Sequence, residues 1–320
     1  MSVGSNIKKR RYELRMSQQE LADLMGYKTR STIAKIESGE NDVTHSKLSR
    51  FAQALDTTVE ALVTGREYTA APASTDVQTS DPSSISGRRR TAAVILAGGK
   101  LIRNQQNIPN QFINILGKPV IVYCLEAYQS HPAVDDIYVV CLRGWEQIVT
   151  AYAKQYGISK LRGLIPGASS GILSVKNGLD HIRAKYRGDD IIIFQESTRP
   201  MVNADMISRL LQACYESGSA NLCQSMKDYL QFTLQGGAAS YVDRATAVEV
   251  QSPEAYHFDF IDSVFAQAKT RHHALTESCC VMLMYSLGYP IHFIEGSATN
   301  NKILRQEDIA VVTSLIQSRK

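Results

Sequence analysis

Over the first 64 positions apolar residues recur at helical spacing in five short blocks, separated by residues that begin and end helices. Ile7 and Leu14 mark the inward side of a first helix. Ser17-x-x-Glu20 forms a capping box for a second, whose Leu21, Ala22 and Met25 share a face before Gly26 ends it. Thr29 or Ser31 opens a third helix with Ile33 and Ile36 inward, and Thr44 a fourth with Leu48, Phe51, Ala52 and Leu55. Thr57-x-x-Glu60 boxes a fifth carrying Leu62. The pattern predicts an all-α head of five helices.

From residue 91 the period changes. TAAVILAG reads as a buried strand followed by a glycine turn, and DDIYVVCL and DDIIIFQ repeat the strand pattern. Helical segments such as VIVYCLEAYQS, WEQIVTAYAKQYG and LSVKNGLDHIRAKY lie between them. This alternation predicts an α/β body with a mostly parallel sheet covered on both faces. Ligands in such sheets bind at the carboxyl ends of strands, which selects Leu96 to Phe112, Gln195 to Pro200 and Glu295 to Lys302.

Between the two patterns, YTAAPASTDVQTSDPSSISGRRR holds no Leu and only Val77 and Ile85 as branched aliphatic residues. It buries too little to order itself and predicts a flexible linker over 67–90, between a head at 1–66 and a body at 91–320. Composition agrees with that division: 320 residues, 44% hydrophobic and 21% charged, suit two globular domains and exclude disordered and fibrous classes. No apolar stretch reaches the ~18 residues of a membrane span. The opening MSVGSNIKKRRYELRM lacks the apolar core of a signal peptide, so a cytoplasmic protein is expected. Cys124, Cys141, Cys214, Cys223, Cys279 and Cys280 form no CxxC pair and read as buried free thiols.

The net charge of +4 is unevenly spread, with 11 basic and 8 acidic residues in 1–66 and a nearly neutral body. The third helix points Arg30, Ser31, Thr32 and Lys35 outward, donors of the kind that read base edges and phosphates. Around it, SQQELADLMGYKTRSTIAKIESGENDVTHSKLSRFAQAL resembles the Cro/repressor-type helix-turn-helix family, with its SQxxLA helix, glycine turn, IxxIExG ending and LxxxAxxL helix. One residue more than that family's usual spacing separates Gly26 from Ile33. The resemblance implies a double-stranded DNA operator, with Gln18 at backbone phosphate and Arg30, Ser31, Thr32 and Lys35 in the major groove.

In the body, LAGGKLIRNQQNIPNQFINILGKPV resembles LAGGxGxRMxxxxPKQFxxLxGKPV of the methylerythritol-phosphate and ribitol-phosphate cytidylyltransferases. GASSGILSVKNGL, QESTRP, VDR, SPE, TESCC and EGSATNNKILRQEDI follow in the order of that family's GGxxRxxSVxxGL, HDAARP, VDR, TPQ, TDDAS and EGSxxNIKxTxxEDL. The resemblance implies a Rossmann-like nucleotidyltransferase fold, CTP and a sugar-alcohol phosphate as ligands, a CDP-sugar and pyrophosphate as products, Mg2+ as cofactor and a homodimer. It places Ala97, Gly98, Gly99, Arg103, Gly167 and Ser174 around the nucleotide, and Arg244 and Lys302 on the sugar phosphate. Glu196 falls on the metal carboxylate, and Arg103, Glu196 and Lys302 are the catalytic candidates.

Several positions depart from the motifs. Leu101 replaces the second loop glycine, where a positive backbone φ is expected, and Asn110 replaces the lysine that stabilises charge at the α-phosphate. Losing one such preorganised charge costs ~100–1000-fold in rate. Gly171 replaces an arginine, Ser278 an aspartate, Gln231 a lysine, and Glu196 is one methylene longer than the family's aspartate. Losses gather where a triphosphate is activated, while the anchors for a phosphorylated polyol survive. Three readings stay open: a regulator that senses CTP, CDP-sugar or sugar-alcohol phosphate, a working cytidylyltransferase with an autoregulatory head and Lys100 in place of the missing lysine, and a body that only dimerises. Asp308 is expected to cap the last helix.

Overall fold

The computed structural model describes residues 3–14, 16–27, 29–41, 43, 45–57, 59–64 and 89–318. Thr44 and, apart from Arg89 and Arg90, the expected linker lie outside the described residues.

The head is built from α1 (Val3–Glu13), α2 (Gln18–Leu24), α3 (Arg30–Ser38), α4 (His45–Ala54) and α5 (Val59–Thr64). Ser17 accepts from the Glu20 amide and the Glu20 carboxylate accepts from the Ser17 amide, so the capping box is formed. Gly39 ends α3 in the left-handed conformation at φ +83°. Ile7, Leu21, Ala22, Met25, Ile33, Ile36, Leu48, Phe51, Leu55 and Leu62 are buried together as the head's core. Leu14 is a correction: it lies beyond the end of α1 and is exposed.

In the body, β1 (Thr91–Ala97) is followed by a small hairpin of β2 (Asn114–Ile115) and β3 (Lys118–Pro119), then α6 (Val120–Ser130) and β4 (Asp136–Cys141). Next come α7 (Glu146–Gln155), β5 (Leu161–Pro166), α8 (Gly171–Ile182), β6 (Ile191–Glu196), α9 (Ala204–Ser217) and β7 (Ser219–Ser225). A hairpin of β8 (Gln231–Gln235) and β9 (Ala238–Val242) precedes β10 (Val248–His257), α10 (Phe258–Thr270), α11 (Cys280–Leu287), β11 (Phe293–Glu295) and α12 (Gln306–Gln317). Seven strands form one sheet in the order β11-β7-β10-β6-β1-β4-β5, and only β10 runs against its neighbours.

Strands covered on both faces must be apolar at consecutive positions, which is why β1, β4 and β6 read as unbroken runs. Ala92, Val94, Tyr138, Val140, Ile192 and Phe194 share a core with α8, α10 and α11. Strand alternation turns Ala93, Ile95 and Ile193 toward the opposite face, where α6 lies on β1 and β4 and α9 on β7 and β10. The chain steps from β1 to β4 and β5 on one side and returns to β6 on the other, so the strand order reverses beside the carboxyl ends of β1 and β6. All six cysteines are free thiols, five of them buried. Among the described residues no helix is long and apolar enough to cross a membrane.

Candidate functional site

On the head, α3 leaves Arg30, Ser31 and Lys35 exposed and Thr32 half-buried, while Ile33, Ile36 and Glu37 face inward. Thr29 Oγ1 and Ser31 Oγ lie 2.7 Å apart at the start of the helix. Glu37 is buried against Arg11 in a two-pronged ion pair of 2.6 and 3.0 Å. Gln18 donates its amide to the same carboxylate at 2.8 Å. The residue expected at DNA phosphate therefore also ties the start of α2 to α3, and the exposed donors sit on a helix whose inner face is fixed by charge-assisted bonds.

In the body, residues 98–109 leave the carboxyl end of β1 as a long loop. A Cβ at Gly98 would meet Gly167 Cα at 3.2 Å, and one at Gly167 would meet Gly98 Cα at 3.0 Å and the Cys141 carbonyl oxygen at 3.1 Å. Two backbones pass where no side chain fits, which gives both glycines a steric role. Buried Gln111 donates to the Ala97 and Gly99 carbonyls at 2.9 and 2.7 Å and pins the turn from inside. The positive φ expected at Leu101 is absent; in this loop it falls on Asn107, at +55°. Lys100 and Arg103 are exposed.

Asn110, at the position of the family lysine, is 1% exposed. Its amide donates to the Ile303 and Leu304 carbonyls at 3.2 Å each, and its side-chain oxygen accepts from Asn104 Nδ2 at 2.8 Å. The Gln105 amide adds a bond to Gln306 Oε1 at 3.0 Å. A side chain at a position expected to face ligand instead clips the loop after β1 to the segment that follows Lys302.

Across the reversal point, Glu196 ends β6 between two cations. Arg199 Nε reaches Glu196 Oε2 at 3.0 Å, and Lys302 Nζ pairs with Oε1. Burial alone would raise this carboxyl, but Lys302 and Arg199 overcome it and hold the acid below the usual carboxylate range. Arg199 is itself buried and donates to the Asn300 carbonyl at 2.7 Å. Glu196 is the carboxylate that would hold Mg2+, a cation bound through one or two carboxylates together with phosphate oxygens of a ligand; here both of its oxygens are engaged by Arg199 and Lys302. Nearby, burial pushes the Glu254 carboxyl up to about 7. Tyr256 Oη lies 2.7 Å from Asn221 Oδ1 and 3.1 Å from Glu254 Oε2. One phenolic proton cannot serve both acceptors, so a protonated Glu254 completes the chain of bonds.

Two altered positions meet each other. A Cβ at Gly171 would lie 2.5 Å from the Ser278 carbonyl oxygen, so the loop before α11 rests on the start of α8 only because residue 171 is glycine. Ser174 is buried and accepts from the Ala168 amide at 3.0 Å, holding the loop that carries Gly167. Arg244 is exposed on the turn after the β8–β9 hairpin, and Gln231 begins β8. No hydrogen bond or ion pair joins Arg244 to Glu196 or Lys302 among the described residues. Asp308 accepts from the Leu304 and Arg305 amides at 2.8 and 2.9 Å and caps α12 as expected. Sequence reasoning missed Gln111, Ser252 and Asn300, polar residues whose roles arise only when distant segments converge; Ser252 Oγ accepts from the Glu196 amide at 3.1 Å.

Residues 91–318 match the family model described as 2-C-methyl-D-erythritol 4-phosphate cytidylyltransferase, and residues 7–62 match a helix-turn-helix model. The ribitol-5-phosphate cytidylyltransferase of Lacticaseibacillus paracasei is 29% identical over 231 residues, 71% of this chain and 98% of that protein. The 2-C-methyl-D-erythritol 4-phosphate cytidylyltransferase of Syntrophus aciditrophicus is 28% identical over 233 residues, 72% of this chain and 97% of that one. The 4-diphosphocytidyl-2C-methyl-D-erythritol synthase structure from Anaerococcus prevotii superposes with a TM-score of 0.61 at 17% identity, over 72% of this chain and 96% of that one.

Proposed function

Because the chain belongs to the 2-C-methyl-D-erythritol 4-phosphate cytidylyltransferase family over residues 91–318 and carries a helix-turn-helix domain over residues 7–62, we propose that it is a cytoplasmic, DNA-binding transcriptional regulator whose body senses a sugar-alcohol phosphate, CTP or a CDP-sugar. The observation that carries the reading is Asn110: the family's charge-stabilising position holds a buried neutral amide committed to the Ile303 and Leu304 carbonyls. Nucleotidyl transfer needs preorganised charge there. A sensor needs an anchor and a route, and Lys302 is the residue before Ile303. A phosphate seated on Lys302 would bear on the phosphate loop through Asn110.

On the DNA side, Arg30, Ser31, Thr32 and Lys35 read an operator, and neutralised phosphates make the affinity salt-dependent. Pairing of two bodies would present two heads to half-sites about one helical turn apart. The exposed apolar side chains Phe232, Leu234 and Tyr241 of the β8–β9 hairpin, with Leu230 just before it, support such a homodimer.

Duplexes selected from a random pool by the full chain serve as probes in fluorescence anisotropy. Ribitol 5-phosphate, CTP or CDP-ribitol at millimolar concentration is expected to shift the DNA affinity; no shift with any of them sinks the sensor. The exposed Lys100 and Arg103 favour a second reading, a working cytidylyltransferase with an autoregulatory head. Pyrophosphate release from CTP with ribitol, erythritol or glycerol phosphate, abolished in Arg103→Ala, would establish it instead.

A further inference from the structure

The pairing of β10 with β7 is broken at one place. Val250 faces Cys223 and Glu254 faces Asn221, so Gln251, Ser252 and Pro253 stand against Leu222 alone. Two surplus residues make a bulge, and a bulge re-aims the side chains it carries. Ser252 Oγ accepts from the Glu196 amide at 3.1 Å, and the Ser252 carbonyl accepts from Asn300 Nδ2 at 2.8 Å. Residues 296–304, which carry Lys302, form neither helix nor strand, so their polar groups need partners from elsewhere. Buried Gln251 supplies them: Nε2 donates to the Ser297 carbonyl at 3.0 Å, and Oε1 accepts from the Ser297 amide at 3.3 Å and Asn300 Nδ2 at 3.4 Å. The fit is close, since a Cβ at Gly296 would lie 2.5 Å from Gln251 Oε1 and 3.1 Å from the Cys223 carbonyl oxygen.

We propose that Gln251 is a positioning residue for Lys302: through Ser297 and Asn300 it fixes the segment that sets the Lys302 ammonium against Glu196. Ser252, next on the bulge, fixes the Glu196 backbone, so one irregularity in β10 places both halves of the pair. Gln251 acts through Lys302 and touches no ligand itself. A cation already in place binds an anion without first losing the freedom of its segment, so the bulge contributes to affinity from outside the site. The ligand half of the inference rests on the sensor reading, whereas the placement of Lys302 does not.

Two measurements on the full chain separate those halves. In the first, a limiting dose of sulfosuccinimidyl acetate is added, and acetylation of Lys302 and of Lys176, which pairs with Asp180 on α8, is followed by peptide mass spectrometry. Gln251→Ala is expected to speed modification of Lys302 about fivefold or more and to leave Lys176 unchanged. Gly296→Ala, which forces the segment off Gln251, is expected to act in the same way. Equal acceleration at both lysines marks a general loosening of the fold, and no acceleration at Lys302 in either variant shows that the segment holds without Gln251; each result overturns the proposal. In the second, ribitol 5-phosphate is titrated calorimetrically into the wild type, Gln251→Ala, Lys302→Ala and the double variant. Gln251→Ala is expected to lose about tenfold in affinity, and the double variant to bind no more weakly than Lys302→Ala. Unaltered affinity in Gln251→Ala, or a further loss of about tenfold in the double variant, overturns the positioning role. No binding by the wild type overturns the sensor reading, while the acetylation result still decides whether Gln251 places Lys302.

Discussion

Glu254 stands where the family motif carries a neutral glutamine, and its surroundings favour the neutral acid below about pH 7. Burial raises its carboxyl, and Tyr256, Cys280, Cys279 and Glu196 are the titratable groups around it. An acid whose folded pKa is raised stabilises the fold fully below its unfolded value and loses that contribution as pH rises through the folded one. Between about pH 4.5 and 8 the wild type should therefore lose on the order of 3 kcal/mol that Glu254→Gln keeps. Thermal melts across that range should diverge, with the variant more stable at pH 8; parallel profiles would overturn the assignment. Asn110 shows the limit of a residue read alone. The sequence announces a missing charge there, but not that the amide would find the Ile303 and Leu304 carbonyls across some 190 positions of chain.

Helix ends were legible because their chemistry is local. Ser17, Glu20, Gly39 and Asp308 act within a few residues of themselves, so spacing suffices to identify them. Glycines at crossings were not. A Cβ on Gly4 would fall 2.0 Å from the Ile36 carbonyl oxygen, where α1 crosses α3, and a backbone atom cannot step aside. Gly4→Ala should cost the head about 1–3 kcal/mol through forced separation of the two helices. Amide hydrogen exchange should quicken in α1 and α3 while β1 and β6 keep their protection; unchanged exchange in α3 would show that the crossing yields freely. Gly171 follows the same logic against Ser278. In both cases the sequence shows a glycine and the fold supplies the reason.

For the whole molecule, the most exposed large apolar side chain among the described residues is Leu234 on the β8–β9 hairpin, at 81%, and Leu230 just before the hairpin is 70% exposed. Light scattering should find a dimer, and Phe232→Asp with Leu234→Asp should return it to the 35.4 kDa of one chain without loss of secondary structure. A variant that stays dimeric would move the interface elsewhere. The sequence by itself determined the five-helix head, the α/β body, the motif order and which positions had changed chemistry, because periodicity, caps and motif spacing are properties of neighbouring residues. Only the tertiary structure decided what the changed positions do: that Asn110 is a clip, that Gly171 admits a loop, and that Glu196 is shared by Arg199 and Lys302. Those outcomes depend on distance, burial and electrostatic neighbours, which arise when segments 100 or more positions apart are brought together by the sheet.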